Sequence, residues 1–139
     1  MNAVEIKKDI YWVGVKDWNL VEFHGYSTPH GSTYNSYLIM DDNITLVDGV
    51  KHYLSHENIA RIQSLTDFSK IKYIVVNHVE MDHSGNIPEL MKLAPQATIV
   101  TNSAGKHSKI KFTAGHESGL KLSRYLLWCI YDYLYGDDR

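Results

Sequence analysis

Cysteine, net charge and long apolar runs are all scarce in this sequence, and each scarcity excludes a class of protein. The one cysteine, Cys129, excludes a framework of internal disulfides and suits a reducing cytoplasm. A formal net charge of -2 provides no electrostatic attraction for nucleic acid or an anionic membrane. The longest apolar stretch, around Tyr125 to Tyr131, is far shorter than the ~20 residues of a membrane-spanning helix. We therefore expect a cytoplasmic globular protein without nucleic-acid or membrane partners.

Sorting signals, internal repeats and low-complexity linkers are not found either. Residues 1–8 contain no apolar core of the length that a secretory signal needs. The 139 residues suffice for one domain with a sizeable core, and the 44% hydrophobic and 22% charged residues are ordinary globular values. We therefore expect one domain and not two.

Short β-branched and aromatic runs dominate the first part of the chain. Residues 4–15 predict two strands around a short turn, the second of them over 10–15. Residues 33–40 and 44–48 predict a hairpin, because only a short polar turn separates them. Residues 17–32 show no clear periodicity and predict a loop over one face.

Helical spacing first appears after this hairpin. Ser55 resembles an N-cap, and apolar residues recur behind it at Ile59, Ile62 and Leu65. Residues 71–76 predict a buried central strand, and a second helix should begin at Asn86 and end at Pro95. Residues 97–101 predict a further strand. Hairpins followed by alternating helices and strands indicate an α/β fold with a mixed sheet covered by helices on an outer face.

The densest group of chemically reactive side chains follows the predicted central strand. Residues 77–85 contain two histidines and two carboxylates, namely His78, Glu80, Asp82 and His83. Such nitrogen and oxygen donors on a loop after a buried strand are typical of a metal site. No cysteine lies nearby, which disfavours an iron–sulfur cluster or a structural zinc finger. The set suits a pair of iron or manganese ions, and zinc stays an alternative.

The spacing of these four residues suggests how they divide between two ions. In an extended chain, residues two apart can point the same way, so His78 and Glu80 could share one ion. Asp82 and His83 follow too late to point at the same spot, and they could serve a second ion.

The pattern His78-x-Glu80-x-Asp82-His83 resembles the metal motif of flavodiiron proteins, which have the metallo-β-lactamase-like fold. The zinc hydrolases of that superfamily typically have histidine where this chain has Glu80. Further segments resemble the same family in the same order, namely Asp17-Trp18-Asn19, Phe23-His24-Gly25-Tyr26, residues 33–39 and Leu46-Val47-Asp48. The resemblance implies a metallo-β-lactamase-like αββα sandwich truncated to its N-terminal half over residues 1–105, followed by an unmatched tail over 106–139.

The resemblance also implies a function. Flavodiiron proteins reduce dioxygen to water or nitric oxide to nitrous oxide at a diiron centre, using electrons from FMN in a flavodoxin-like domain. By resemblance, His78 and Glu80 ligate one iron, and Asp82 and His83 the other. His24 and Tyr26 would lie near the open face of the centre and donate hydrogen bonds to the bound gas.

The same resemblance implies partners. FMN would come through a missing or separate flavodoxin-like domain, and electrons from a flavoprotein or a rubredoxin-type donor. Because the family usually forms head-to-tail dimers, a homo-oligomer is expected. The family completes its metal site with a histidine, a bridging aspartate and a last histidine further along, and His107 and His116 follow the motif too closely to match them.

Three interpretations of the tail and two alternative functions stay open. The tail could cover the half-sheet, pair with another chain, or arise from a shifted reading frame, and the loss of periodicity after Gly105 favours the last. One alternative function is a zinc hydrolase in which Asp82 orients a metal-bound hydroxide, although Glu80 disfavours it. The other is a non-catalytic remnant or interaction module. His30, His52 and His56 are expected to be solvated loop or helix-end residues.

Overall fold

A computed structural model describes residues 2–23 and 25–101 and, as backbone alone, residues 121–122. The strands are β1 Val4–Lys7, β2 Ile10–Trp12, β3 Val15–Asp17, β4 Glu22–Phe23, β5 Tyr26–Ser27, β6 Ser32–Tyr34, β7 Tyr37–Ile39, β8 Thr45–Val47, β9 Tyr73–Val76, β10 Thr98–Thr101 and β11 Lys121–Leu122. The α-helices are α1 Ser55–Gln63, α2 Met81–Ser84 and α3 Ile87–Leu93, and 3-10 helices cover His52–Leu54 and Phe68–Lys70. His24 and most of the predicted tail, including Cys129, lie outside the described residues.

The main sheet has seven strands in the order β1-β2-β7-β8-β9-β10-β11. Its first four strands are antiparallel, and β8, β9, β10 and β11 run parallel. α1 lies in the crossover from β8 to β9, and α3 in the crossover from β9 to β10, which is the usual way to join parallel strands. The predicted mixed sheet with hairpins first and helices later is confirmed.

The helices cover one face of this sheet. Leu46 lies opposite Ile74, and Ile74 lies opposite Ile99, so these residues share a face. That face packs with Ile62 of α1 and Leu90 of α3, both fully buried. The next residue along each strand points to the other face, where Val47, Val75 and Val100 form a separate apolar cluster. The central strands are thus buried on both faces, which explains their nearly continuous apolar sequence.

Two strands predicted as continuous are each split at the same place. The predicted strand over 10–15 is β2 followed by β3, and the one over 33–40 is β6 followed by β7. β3 pairs with β6 in a small sheet of its own. Val13 N donates to Ser36 O at 2.9 Å at the split, and a Cβ at Gly14 would collide with a backbone oxygen of β6. The two strands therefore leave the main sheet together.

Two local predictions differ from the structure. The predicted loop over 17–32 contains a hairpin of β4 and β5, and Gly25 at its tip has φ 79°. Ser55 begins α1 instead of capping it, and its hydroxyl donates a hydrogen bond to the carboxylate of Glu89 on α3. Ser55 therefore ties two helices together. Within the described ranges, no helix is long and apolar enough to cross a membrane.

Candidate metal centre

The candidate site lies where the turn after β8 meets the loop after β9. β8 and β9 are parallel neighbours, with Val47 opposite Val75, so their carboxyl ends reach the same edge of the sheet. We call residues 77–86 the ligand loop and residues 48–50 the clamp turn. Carboxyl ends of parallel strands are the usual place for binding sites in open α/β sheets.

The structure brings the four predicted ligands together. His78 Nε2 lies 3.6 Å from Asp82 Oδ1 and 3.9 Å from Glu80 Oε2. Asp82 Oδ2 lies 3.8 Å from His83 Nε2. The ligand atoms of His78, Glu80 and Asp82 all lie within 4.8 Å of one another. Asp82 therefore stands between the two histidines and presents one oxygen to each.

The position of Asp82 differs from what its spacing suggests. An extended loop would have aimed it away from His78 and Glu80, but α2 winds this part of the chain into a helical turn. His83 N and Ser84 N both donate to Glu80 O, at 3.0 and 2.9 Å, and Ser84 Oγ donates to Val79 O at 2.9 Å. The helical turn brings Asp82 back to His78, so the expectation that Asp82 points elsewhere was wrong. The assignment of the four residues to two ions stays a prediction.

Burial divides the four ligands into two pairs. The side chains of His78 and Glu80 are 47% and 63% exposed, whereas those of Asp82 and His83 are 14% and 19% exposed. His83 Nδ1 is buried and has no hydrogen-bond partner among the described residues. A buried nitrogen without a partner is costly. The other ring nitrogen of His83, Nε2, is the one that faces Asp82, and imidazole nitrogen is a common ligand of transition metals. His78, Glu80 and Asp82 form one group with His83 beside Asp82, and such imidazole and carboxylate donors are ones that iron, manganese and zinc accept.

Asp48 supports the start of the ligand loop and was noticed in the sequence only as part of the family resemblance. Its Oδ1 accepts hydrogen bonds from Asn77 N at 2.7 Å and from His78 N at 3.0 Å. Its φ of 56° is rare for a residue other than glycine. Burial raises the pKa of Asp48, and the two N–H donors partly oppose that increase. A carboxylate directly after an apolar strand is the signal that could have identified it.

A second buried carboxylate, that of Asp17, holds the tyrosine side chains that lie beside His83. Tyr34 Oη donates to Asp17 Oδ2 at 3.0 Å, and Tyr53 Oη donates to the same oxygen. The ring of Tyr34 meets that of His83 edge to face at a centroid distance of 6.2 Å. Lys51 Nζ lies 5.1 Å from the Tyr34 centroid and 5.9 Å from that of Tyr53. These contacts hold Tyr34 in place beside a predicted ligand.

Of the two predicted gas-binding residues, Tyr26 is described and lies in β5 of the β4–β5 hairpin. Tyr26 is 76% exposed and pairs with Phe23 across the hairpin. Lys51 Nζ lies 5.3 Å from the Phe23 centroid, so the hairpin lies next to the side chains that surround Asp17. The structure does not place Tyr26 among the four ligands, and His24 lies outside the described residues. The roles of both residues stay predictions.

The chain is similar to a group of metalloproteins in both sequence and fold. The family described as ODP family beta lactamase matches residues 33–117. A nitric oxide reductase of Moorella thermoacetica is 48% identical over 99 residues, which are 70% of this chain and 25% of that protein.

The similarity in fold covers more of the chain than the similarity in sequence. The flavodiiron protein of Giardia intestinalis superimposes with a TM-score of 0.80 and 35% identity, covering 88% of this chain and 30% of that one. The rubredoxin oxygen:oxidoreductase of Desulfovibrio gigas superimposes with a TM-score of 0.78 and 35% identity, covering 87% of this chain and 30% of that one. The chain spans about a quarter of the length of the curated relatives it matches.

Proposed function

Since this chain belongs to the ODP family of beta lactamases and, within it, to the flavodiiron proteins, we propose that it carries part of a diiron centre that reduces dioxygen or nitric oxide. The observation that carries the proposal is the position of Asp82 between His78 and His83, beside Glu80. One carboxylate reaching two imidazoles suits a site for two neighbouring ions. Glu80 favours iron, because zinc hydrolases of this fold have histidine at that position.

The division of the four ligands between two ions rests on the family resemblance. His78 and Glu80, the more exposed pair, would hold one iron, and Asp82 and His83, the more buried pair, would hold the other. Iron bound there would supply the redox chemistry. The residues of this chain hold the ligand side chains in place, and they limit the access of water on the side of the more buried pair. His24 and Tyr26 donate hydrogen bonds to the gas.

The electron supply requires partners beyond these residues. The named relatives include a nitric oxide reductase and a rubredoxin oxygen:oxidoreductase. We propose that electrons reach the site through FMN in a flavodoxin-like domain, from a rubredoxin-type donor.

Metal analysis of anaerobically purified protein tests this proposal. We expect stoichiometric iron and a reduced state that dioxygen or nitric oxide reoxidises. His83→Ala should lose iron, whereas His56→Ala should keep it, because His56 is an exposed residue of α1 outside the ligand group. Zinc with hydrolytic turnover would instead support a hydrolase. Native protein that takes up no metal would contradict both enzymatic functions.

A further inference from the structure

The clamp turn holds the ligand loop through backbone hydrogen bonds at its far end. Gly49 N donates to His83 O at 2.8 Å, so the turn contacts the backbone of a predicted ligand directly. Val50 N donates to Asn86 Oδ1 at 2.8 Å, and Asn86 N donates to Val50 O at 3.0 Å. Together with Asp48 at the other end, these bonds fix both ends of the ligand loop.

The side chain of Asn86 continues this contact into the core. Asn86 Nδ2 donates to Asn58 Oδ1 at 2.9 Å, and Asn58 Nδ2 donates to Val13 O at 2.8 Å. Both asparagines are fully buried. This series of hydrogen bonds therefore starts at the N–H of Val50 and ends at the carbonyl of Val13, between β2 and β3. Because a donor stands at one end and an acceptor at the other, both amides have a determined orientation. We call Asn58 and Asn86 the amide relay.

Two glycines show how closely the clamp turn and the ligand loop approach each other. A Cβ at Gly49 would collide with Asn86 Oδ1 and lie 3.0 Å from His83 O. A Cβ at Gly85 would lie 3.2 Å from Val50 O. With no space for a side chain on either segment, the loop has little freedom to shift while the relay is intact.

We propose that Asn58 and Asn86 are positioning residues, which hold the ligand loop in its metal-binding geometry before any ion binds. A buried amide is costly unless its donors and acceptors are paired, and each of these amides accepts one hydrogen bond and donates another. These partners fit only one orientation of each amide. Asn58 contacts no ligand side chain and acts through Asn86. A loop ordered in advance loses less conformational freedom when it binds an ion, so its affinity is higher. This inference rests on the metal-binding function proposed above.

Cobalt(II) titration of the full chain provides the first test. Asn58→Ala and Asn86→Ala should each weaken cobalt binding by about 10–100-fold, as removal of groups that support metal ligands usually does. The double variant should be little weaker than either single variant, because both break one relay. Ile62→Val is the matched control, since Ile62 is buried on the same helix and has no polar contact with the loop. It should lower stability and leave cobalt affinity unchanged.

Amide hydrogen exchange of the metal-free chain provides a readout that needs no metal. The amides of Gly49 and Val50 should be protected in the native chain, and Asn58→Ala should speed their exchange by about tenfold or more relative to Ile62→Val. Unprotected amides in the native metal-free chain, or cobalt affinity unchanged in both relay variants, would overturn the inference. Failure of the native chain to bind cobalt while these amides stay protected would overturn the proposed function and not the ordering of the loop.

Discussion

Asp82 is the residue whose surroundings most clearly distinguish a metal site from an ordinary surface cluster. Its side chain is only 14% exposed and has a histidine nitrogen within 4.0 Å of each oxygen, at 3.6 and 3.8 Å. Among the described residues, no lysine or arginine forms an ion pair with it. A partly buried carboxylate between imidazoles is stabilised when a cation binds to all of them.

Asp82→Asn should therefore impair metal binding without unfolding the chain. The amide has nearly the same size but lacks the charge, so we expect cobalt affinity to fall by at least about tenfold. Isothermal titration measures the change. Asp42→Asn, in the exposed turn between β7 and β8, is the matched control and should bind as the native chain does. Equal affinity in both variants would exclude Asp82 as a ligand.

The phenol groups of Tyr34 and Tyr53, which both donate a hydrogen bond to Asp17, should make the stability of the chain depend on pH in the alkaline range. Burial and the hydrogen bond to Asp17 raise the pKa of Tyr34, and the same causes raise the pKa of Tyr53. The folded state therefore holds these protons more tightly than the unfolded state, in which tyrosine has a pKa of about 10. Their contribution to stability is complete below pH ~10 and is lost as the pH rises further. Lys51 and His83 are the other titratable groups in contact with Tyr34.

Urea unfolding of Tyr34→Phe measures this contribution. At neutral pH the variant should be less stable by about 1–3 kcal/mol, because a buried carboxylate loses a donor. Above pH 10 the difference from the native chain should shrink, since the native chain alone loses the contribution of that phenol. A difference that stays constant from neutral to alkaline pH would contradict the assigned role of the hydrogen bond.

Element by element, the sequence predicts what depends on local patterns and misses what depends on contacts. β8, β9 and β10 were found from short runs of apolar and β-branched residues, and α1 and α3 from apolar residues at helical spacing. α2 has four residues, too few for periodicity, and it is the helix that brings Asp82 to His78. The side-chain contact between Ser55 and Glu89 joins residues far apart in the sequence, so a local capping rule assigned Ser55 wrongly.

Gly14 is the point at which the split of the two long strands can be tested. A Cβ there would collide with the backbone oxygen of Tyr34, and it would also crowd the ring of Trp12. Gly14→Ala should therefore destabilise the chain by about 1–3 kcal/mol, since backbone must move. Gly25→Ala has open space around it and should cost only about 1–2 kcal/mol for its left-handed backbone. Thermal unfolding of both variants measures the cost of a steric collision in Gly14→Ala and the cost of an unfavourable backbone conformation in Gly25→Ala. A Gly14→Ala chain as stable as the native one would contradict the close approach of Gly14 to Tyr34.

At the scale of the whole molecule, the α/β fold was predictable because the predicted elements follow one another along the sequence as hairpins first and then as alternating helices and strands. The exact clustering of the site was not, since it depends on two strand ends brought together by parallel pairing. The predicted boundary at residue 105 stays a prediction. The family match continues to residue 117, and the backbone of β11 pairs with β10 within the predicted tail.

Metal binding should stabilise the entire chain, because the ligand loop is tied to the core through Asp48, Gly49 and the amide relay. By mass action, an ion present at 100 times its dissociation constant adds about 2.7 kcal/mol to the free energy of unfolding. We expect cobalt(II) to raise the melting temperature and a chelator to reverse the increase. Magnesium should have no comparable effect, because it prefers oxygen ligands and the site offers two imidazoles. Asp82→Asn should lose the increase, and a melting temperature that cobalt does not change would show that the four ligands do not form a metal site in this chain.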